Sequence, residues 1–256
     1  MPERSIALVV TKTKESKMNS NRKTAVVVGI LFIIGTVAGI LSVVFTQPVS
    51  NAPEYLTAVM TNKTQVIFGA LFILTMGLSL AMVPVVLFPL LKQFNEVLAL
   101  GYVVFRGTLE TVTYMAMASC WLLLASLAPV YAENPGAAAF QNLGALLLQV
   151  QDAIGLLLII LFSLGALMFY SVLYTSKLIP RWLSVWGLVA ILLHLSTSFL
   201  DMFGLMDAST SGSGISFVIN FPIFLQEMVM AVWFIVKGFN VAAVAAPSAK
   251  LAISGD

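Results

Sequence analysis

The chain has 256 residues, of which 60% are hydrophobic and only 9% are charged. Soluble domains carry about 25% charged residues, so this composition excludes an ordinary soluble globular protein. The formal net charge of +2 is too small to indicate a nucleic-acid-binding surface, and we expect no nucleic-acid partner. The single cysteine, Cys120, excludes an intramolecular disulfide and a metal site built from several thiolates.

Six apolar runs follow one another along the chain, each long enough to cross a hydrocarbon core of about 30 Å as a helix. Breaks rich in charged residues, proline, glycine or asparagine separate them. We predict transmembrane helices at about 24–46, 65–91, 97–128, 142–174, 182–203 and 215–236. The predicted fold class is an all-α polytopic membrane bundle, with a basic, disordered segment at 1–23, a six-helix domain at 24–237 and a short tail at 238–256.

The placement of lysine and arginine predicts the orientation, because short basic loops stay on the cytoplasmic side of a membrane. If the N-terminus is inside, only Lys63 falls in an external loop and Arg106 falls within a helix. The other eleven of the thirteen basic residues lie in cytoplasmic segments. We therefore predict that both termini are cytoplasmic and that the main partner is the lipid bilayer.

Gly35 and Gly39 have the GxxxG spacing that allows another helix to approach closely. In a chain with several spans that helix usually belongs to the same chain, and a homo-oligomer is the alternative. Pro84 and Pro89 predict a kink in the second span, and Pro222 predicts one in the sixth.

Ionisable side chains inside a span cost about 2.5–3.5 kcal/mol each on insertion scales, so they usually face the bundle interior and find partners. Six lie within the predicted spans: Arg106, Glu110, Asp152, His194, Asp201 and Glu227. Arg106 and Glu110 are four positions apart, which allows an ion pair on one helix face. Both Arg106 and Glu227 lie about 15 Å from the predicted cytoplasmic ends of their helices, so these two could meet.

These residues predict a charged site in the bundle interior that binds or moves a small polar or anionic ligand, or an ion. The candidate ligand-binding residues are Arg106, Glu110, His194, Gln226 and Glu227, and the residues of an outer polar lane are Gln149, Asp152 and Asp201. The alternative is a structural or accessory membrane subunit in which the charges only clamp the helices together.

An unrecognised membrane enzyme is the second alternative. The single histidine and single cysteine argue against zinc hydrolases. Asp152 and Asp201 both fall near the outer edge, which argues against aspartyl chemistry deep in the membrane. We therefore expect no enzymatic activity, and we assign no catalytic residue, metal site or cofactor.

Four segments together resemble the bacterial DUF4386 family of uncharacterised multi-pass membrane proteins. They are Met18–Ala25, Leu100–Tyr102 followed by Arg106 and Glu110, the run Lys177–Gly187, and Pro222 followed by Gln226 and Glu227. The resemblance covers about 18–239 and implies a bacterial cytoplasmic membrane, but no substrate or reaction. Because it starts at Met18, we expect either Met1 or Met18 to be the true start.

Overall fold

The computed structural model describes the backbone at 2–50, 52, 54–133, 136–205 and 214–245. Side chains are described at 20–50, 52, 54–133, 136–200, 202–205 and 219–245. Within these ranges the chain is helical apart from short turns and contains no β-strand. The predicted all-α class is confirmed.

The described part of the chain forms eight α-helices. They are α1 (Pro2–Ser50), α2 (Tyr55–Thr61), α3 (Lys63–Leu91), α4 (Glu96–Tyr102), α5 (Glu110–Glu133), α6 (Ala138–Ser176), α7 (Arg181–Met202) and α8 (Gly214–Val236). A π-helical segment, Val103–Leu109, joins α4 directly to α5, so the three form one long span. The prolines predicted to kink α3 and α8 lie inside these helices.

Six helical stretches are long and apolar enough to cross a membrane. They are Ser20–Ser50, Lys63–Leu91, Glu96–Glu133, Ala138–Ser176, Arg181–Leu200 and Ile219–Val236. The predicted number of six long apolar helices is therefore confirmed, whereas the bounds of the spans in a membrane stay a prediction. Helix α1 already begins at Pro2, so the backbone of the basic segment continues into the first span.

The six spans pack as a closed ring. Going around it, α1 contacts α3, α3 contacts α5, α5 contacts α6, α6 contacts α7, α7 contacts α8, and α8 returns to α1. The π segment contacts both α3 and α6, which flank its span in the ring. The ring therefore holds this segment, which carries Arg106, between the second and fourth spans.

Polar and apolar side chains are distributed as expected for a protein whose solvent is lipid. Large apolar residues such as Leu78, Val189 and Val236 are about 60% exposed on the outside of the ring. The interior combines apolar side chains with buried Arg106 and Glu110. Between 33% and 44% of the most apolar window of each span is buried, which leaves most of each helix surface free to face lipid.

The GxxxG pair lies inside the ring. A Cβ at Gly35 would meet Leu80, and one at Gly39 would meet Met76, both on α3. These glycines therefore bring α1 close to α3 of the same chain, as is usual in a chain with several spans. They are not an exposed dimerisation surface.

Candidate functional site

Arg106 lies in the middle of the π segment and points into the bundle, where only 2% of its surface is exposed. Gly165 on α6 packs against it. A Cβ at Gly165 would lie 3.1 Å from the Arg106 backbone nitrogen and 3.2 Å from its Cβ. Because Gly165 has no side chain, α6 can approach the widened turn directly. Such π-helical turns inside α-helices occur frequently at functional sites.

Two carboxylates surround the Arg106 guanidinium. Nη2 donates a hydrogen bond to Glu227 Oε1 at 3.0 Å, and Nε lies 3.6 Å from Glu110 Oε2. The Tyr114 hydroxyl donates to Glu110 Oε1 at 3.2 Å. We call Arg106, Glu110 and Glu227 the charged triad. The predicted meeting of Arg106 with Glu227 is confirmed, and so is the ion pair four residues apart.

Aromatic rings enclose the charged triad. The guanidinium carbon lies 4.3 Å from the centre of the Phe162 ring on α6 and 6.0 Å from the centre of the Phe32 ring on α1. Both contacts are within the range of cation–π attraction. Arg106 thus contacts the first, fourth and sixth spans from its position in the third.

The hydrogen-bonding capacity of the triad is not fully used. Arg106 Nε and Nη1 and Glu110 Oε2 are buried and form no hydrogen bond with the described residues. With both carboxylates ionised, the triad carries a net charge of −1. An anionic ligand would add to this excess of negative charge.

Gln226 is fully buried beside the triad, but its amide is occupied within the protein. Its carbonyl oxygen accepts a hydrogen bond of 2.6 Å from the Tyr170 hydroxyl, and its nitrogen donates to the Leu183 carbonyl at 3.0 Å. These bonds connect α8 to α6 and α7. The geometry therefore favours a structural role for Gln226 over contact with a ligand.

A second polar region lies among α5, α6, α7 and α8. It is a cavity of about 570 Å³, which we call the polar cavity. Its polar lining residues are Gln151, Asp152, His194, Thr197, Ser198 and Asn220. His194 is 8% exposed, and its Nδ1 forms no hydrogen bond with the described residues.

Three other polar residues of the polar cavity form hydrogen bonds with the backbone. Thr197 and Ser198 donate to the His194 carbonyl at 2.9 and 2.8 Å, and Gln151 Nε2 donates to the Met117 carbonyl at 3.2 Å. Asp152 is exposed at the rim. The polar cavity therefore combines fixed hydrogen-bonding groups with one carboxylate.

Phe162 separates the polar cavity from the charged triad. Its ring lies over Arg106, and its centre is 5.8 Å from the centre of the His194 ring, at an angle of 83°. We expected Arg106 and His194 to belong to one ligand-binding site, whereas the structure contains two regions with an aromatic ring between them. Gln149 is exposed and does not line the polar cavity, and the side chain of Asp201 lies outside the described residues.

Several residues in and between the two regions were not among the predicted site residues. Thr197 and Ser198 follow His194 by three and four positions, so helical spacing alone could have identified them. Phe162 lies in an apolar run with no distinguishing pattern, so its position depends on how α6 packs.

The sequence model described as a domain of unknown function (DUF4386) matches residues 27–238. The match includes all of the charged triad and all of the polar cavity. Neither a curated protein nor a solved structure matches the chain.

Proposed function

The chain belongs to the DUF4386 family, and we propose that it is a membrane protein that binds a small neutral polar or cationic solute in the polar cavity. The predicted orientation, in a bacterial cytoplasmic membrane with both termini inside, places this cavity toward the outer side. Its lining residues lie near the end of α7 and near the start of the apolar part of α8. The solute would enter from the periplasm.

The observation that carries this proposal is the buried Nδ1 of His194 at the wall of the polar cavity, which has no hydrogen-bond partner in the described part of the chain. A buried polar atom without a hydrogen bond costs about 1–3 kcal/mol, which a bound polar group would recover. The cavity volume of about 570 Å³ is typical of small-molecule sites. Gln151, Thr197 and Ser198 add polar groups that could orient the solute.

The charges decide which solutes fit. No lysine or arginine is among the described residues that line the polar cavity, whereas Asp152 is at its rim. Arg106, the cation expected to attract an anion, is already engaged by two carboxylates and covered by Phe162. These observations support a neutral or cationic solute over the anionic ligand that the sequence also allows.

Nucleophilic catalysis has less support. A serine or threonine nucleophile is activated when its hydroxyl gives its proton to a nearby base. The hydroxyls of Thr197 and Ser198 instead donate to the backbone carbonyl of His194. This arrangement favours binding over an enzymatic reaction.

A structural role is the second candidate, and the charged triad supports it. The 3.0 Å bond between Arg106 and Glu227 joins the third and sixth spans, and the rings of Phe32 and Phe162 add the first and fourth. We propose that the triad clamps the bundle while the polar cavity binds the solute. The two roles can be tested separately because they use different residues.

Thermal unfolding of the purified protein tests the binding proposal. The panel contains choline, spermidine, glycine betaine, neutral sugars and amino acids, with phosphate and glutamate as anionic members. A solute present at about 100 times its Kd stabilises the folded state by about 2.7 kcal/mol, so a ligand should raise the melting temperature measurably. We expect stabilisation by at least one cationic or neutral member.

Two exposed positions on α6 provide the matched variants. Asp152→Asn should reduce the stabilisation by a cationic solute, whereas Gln149→Ala, at an exposed residue that does not line the polar cavity, should leave it unchanged. His194→Leu should reduce stabilisation by any solute that binds in the cavity. Stabilisation only by anions, or equal stabilisation of the wild type and the His194→Leu variant, would refute the proposal.

A further inference from the structure

A second cavity, of about 420 Å³, lies at the opposite end of the bundle from the polar cavity. It is formed where α6 ends, α7 begins and α8 ends. Three basic residues line it, Lys177, Arg181 and Lys237, together with the aromatic residues Trp233 and Phe239. We call it the basic cavity. The predicted orientation places it at the cytoplasmic surface of the membrane.

The walls of the basic cavity are fixed by the backbone. Lys177 has a left-handed conformation, with φ of 57°, and ends α6. Gly238, with φ of 72°, ends α8 through a hydrogen bond from its nitrogen to the Trp233 carbonyl. Asn240 then connects the two walls, because its backbone nitrogen donates to the Leu178 carbonyl at 2.9 Å. The cavity is therefore formed before any ligand binds.

The three cations have no acidic partner among the described residues. Both ion pairs found there belong to the charged triad. Arg181 is held instead over the ring of Tyr174, at 5.1 Å from its centre. No aspartate or glutamate is among the described lining residues. The basic cavity thus brings three positive charges together, and no carboxylate of the described residues neutralises them.

A fourth cation, Arg22, makes the cavity still more favourable for an anion. Its guanidinium donates to the last carbonyls of α8, at Phe234, Ile235 and Val236. These carbonyls form the negative end of the helix dipole and would otherwise repel an anion nearby. Arg22 neutralises them and leaves Lys237 available.

We propose that the basic cavity binds the phosphate group of an anionic phospholipid. The cavity lies where three spans end, at Ser176, Arg181 and Val236, which is the level of lipid headgroups. The faces of Trp233 and Phe239 give it an apolar side that suits the glycerol and upper acyl region of a lipid. Basic pockets between helices at the cytoplasmic side bind anionic headgroups in other membrane proteins.

Titration of the delipidated protein with phosphatidylglycerol and with phosphatidylcholine, followed by native mass spectrometry, tests this proposal. Each basic residue near a membrane surface contributes about fivefold to anionic-lipid binding, so three contribute about 100-fold. The combined change Lys177→Gln, Arg181→Gln and Lys237→Gln should therefore weaken phosphatidylglycerol binding by about 100-fold. Phosphatidylcholine binding should not change.

The matched control removes three charges elsewhere, with Lys23→Gln, Lys63→Gln and Lys92→Gln. It should leave phosphatidylglycerol binding within about twofold of the wild type, because none of these residues lines the cavity. An equal loss in both triple variants would show diffuse attraction and overturn the proposal. Displacement of the lipid by glycerol 3-phosphate at similar concentration would also overturn it, because the site would then take a soluble phosphate.

Single variants keep the test decisive if the triple variant does not fold. Lys177→Gln, Arg181→Gln and Lys237→Gln should each weaken phosphatidylglycerol binding about fivefold. Unchanged binding in all three would refute the proposal. The result does not depend on the polar cavity, because the two sites share no residue.

Discussion

Replacing Arg106 by methionine leaves two carboxylates in the bundle interior without a cation. Glu110 is 1% exposed and Glu227 is 15% exposed, so neither is well hydrated. Removing one partner from a buried ion pair costs about 3–5 kcal/mol, because the remaining charge is left without compensation. We expect Arg106→Met to lower the free energy of unfolding by about this amount.

The two glutamates should be less sensitive, because each single change leaves Arg106 paired with the other. Glu227→Gln removes a charged hydrogen bond of 3.0 Å, which contributes about 1.5–3 kcal/mol. Glu110→Gln should cost less, since its 3.6 Å contact with Arg106 is too long for a hydrogen bond. The expected order of destabilisation is Arg106→Met, then Glu227→Gln, then Glu110→Gln.

Combining all three changes provides the decisive comparison. Replacing a buried charged network by uncharged side chains costs less than breaking it, so the triple variant should be more stable than Arg106→Met alone. The assay is reversible unfolding by sodium dodecyl sulfate in mixed micelles, monitored by far-ultraviolet circular dichroism. A triple variant as unstable as Arg106→Met, or equal effects of the three single changes, would refute the clamp.

Three further predictions concern packing, the N-terminus and topology. Gly165→Ala should lower the free energy of unfolding in the same micelle assay by about 1–3 kcal/mol, because the added Cβ would press on the backbone of Arg106. Gly155→Ala is the control and should not lower it, because a Cβ at Gly155 would face open space. A chain that starts at Met18 should insert and melt at an unchanged temperature, and a marked fall in yield or melting temperature would show that the first seventeen residues are packed. In a Cys120→Ala background, cysteines at positions 63 and 133 should react with an impermeant thiol reagent in intact cells, and those at positions 92 and 181 should be protected. Reaction at position 181 would overturn the predicted orientation.

The architecture could be predicted from the sequence because the thickness of a lipid bilayer sets the length of a helix that crosses it. A hydrocarbon core of about 30 Å requires about 20 apolar residues per helix, and each of the six runs is at least that long. The same reasoning paired Arg106 with Glu227, because depth along a span can be counted from its charged ends. It could not predict the π segment or the close approach of Gly165 to Arg106, because that approach is a matter of how two spans pack.

The site was predicted less completely, for a related reason. Counting depth places residues along the membrane normal but does not say which faces of the helices meet. Arg106 and His194 were therefore assigned to one ligand-binding site, although Phe162 lies between them. Likewise, no site was predicted at Lys177, Arg181 and Lys237, because the cavity that they share appears only when α6, α7 and α8 are packed.

The proposed function requires that polar solutes reach the polar cavity from the outer side. Two neighbouring positions on α7 test this access in a Cys120→Ala background. Thr197 lines the polar cavity, and Ser196 is exposed on the outer surface of the bundle within the same span. A cysteine at either position can be modified by small hydrophilic thiol reagents added outside intact cells, one cationic and one anionic.

We expect the cysteine at position 197 to react and the cysteine at position 196, which faces lipid, to remain unmodified. The cationic reagent should react faster than the anionic one, and Asp152→Asn should bring the two rates together, because Asp152 is the acid at the rim. A cysteine at position 197 that reacts no faster than one at 196, or that prefers the anionic reagent, would contradict the account.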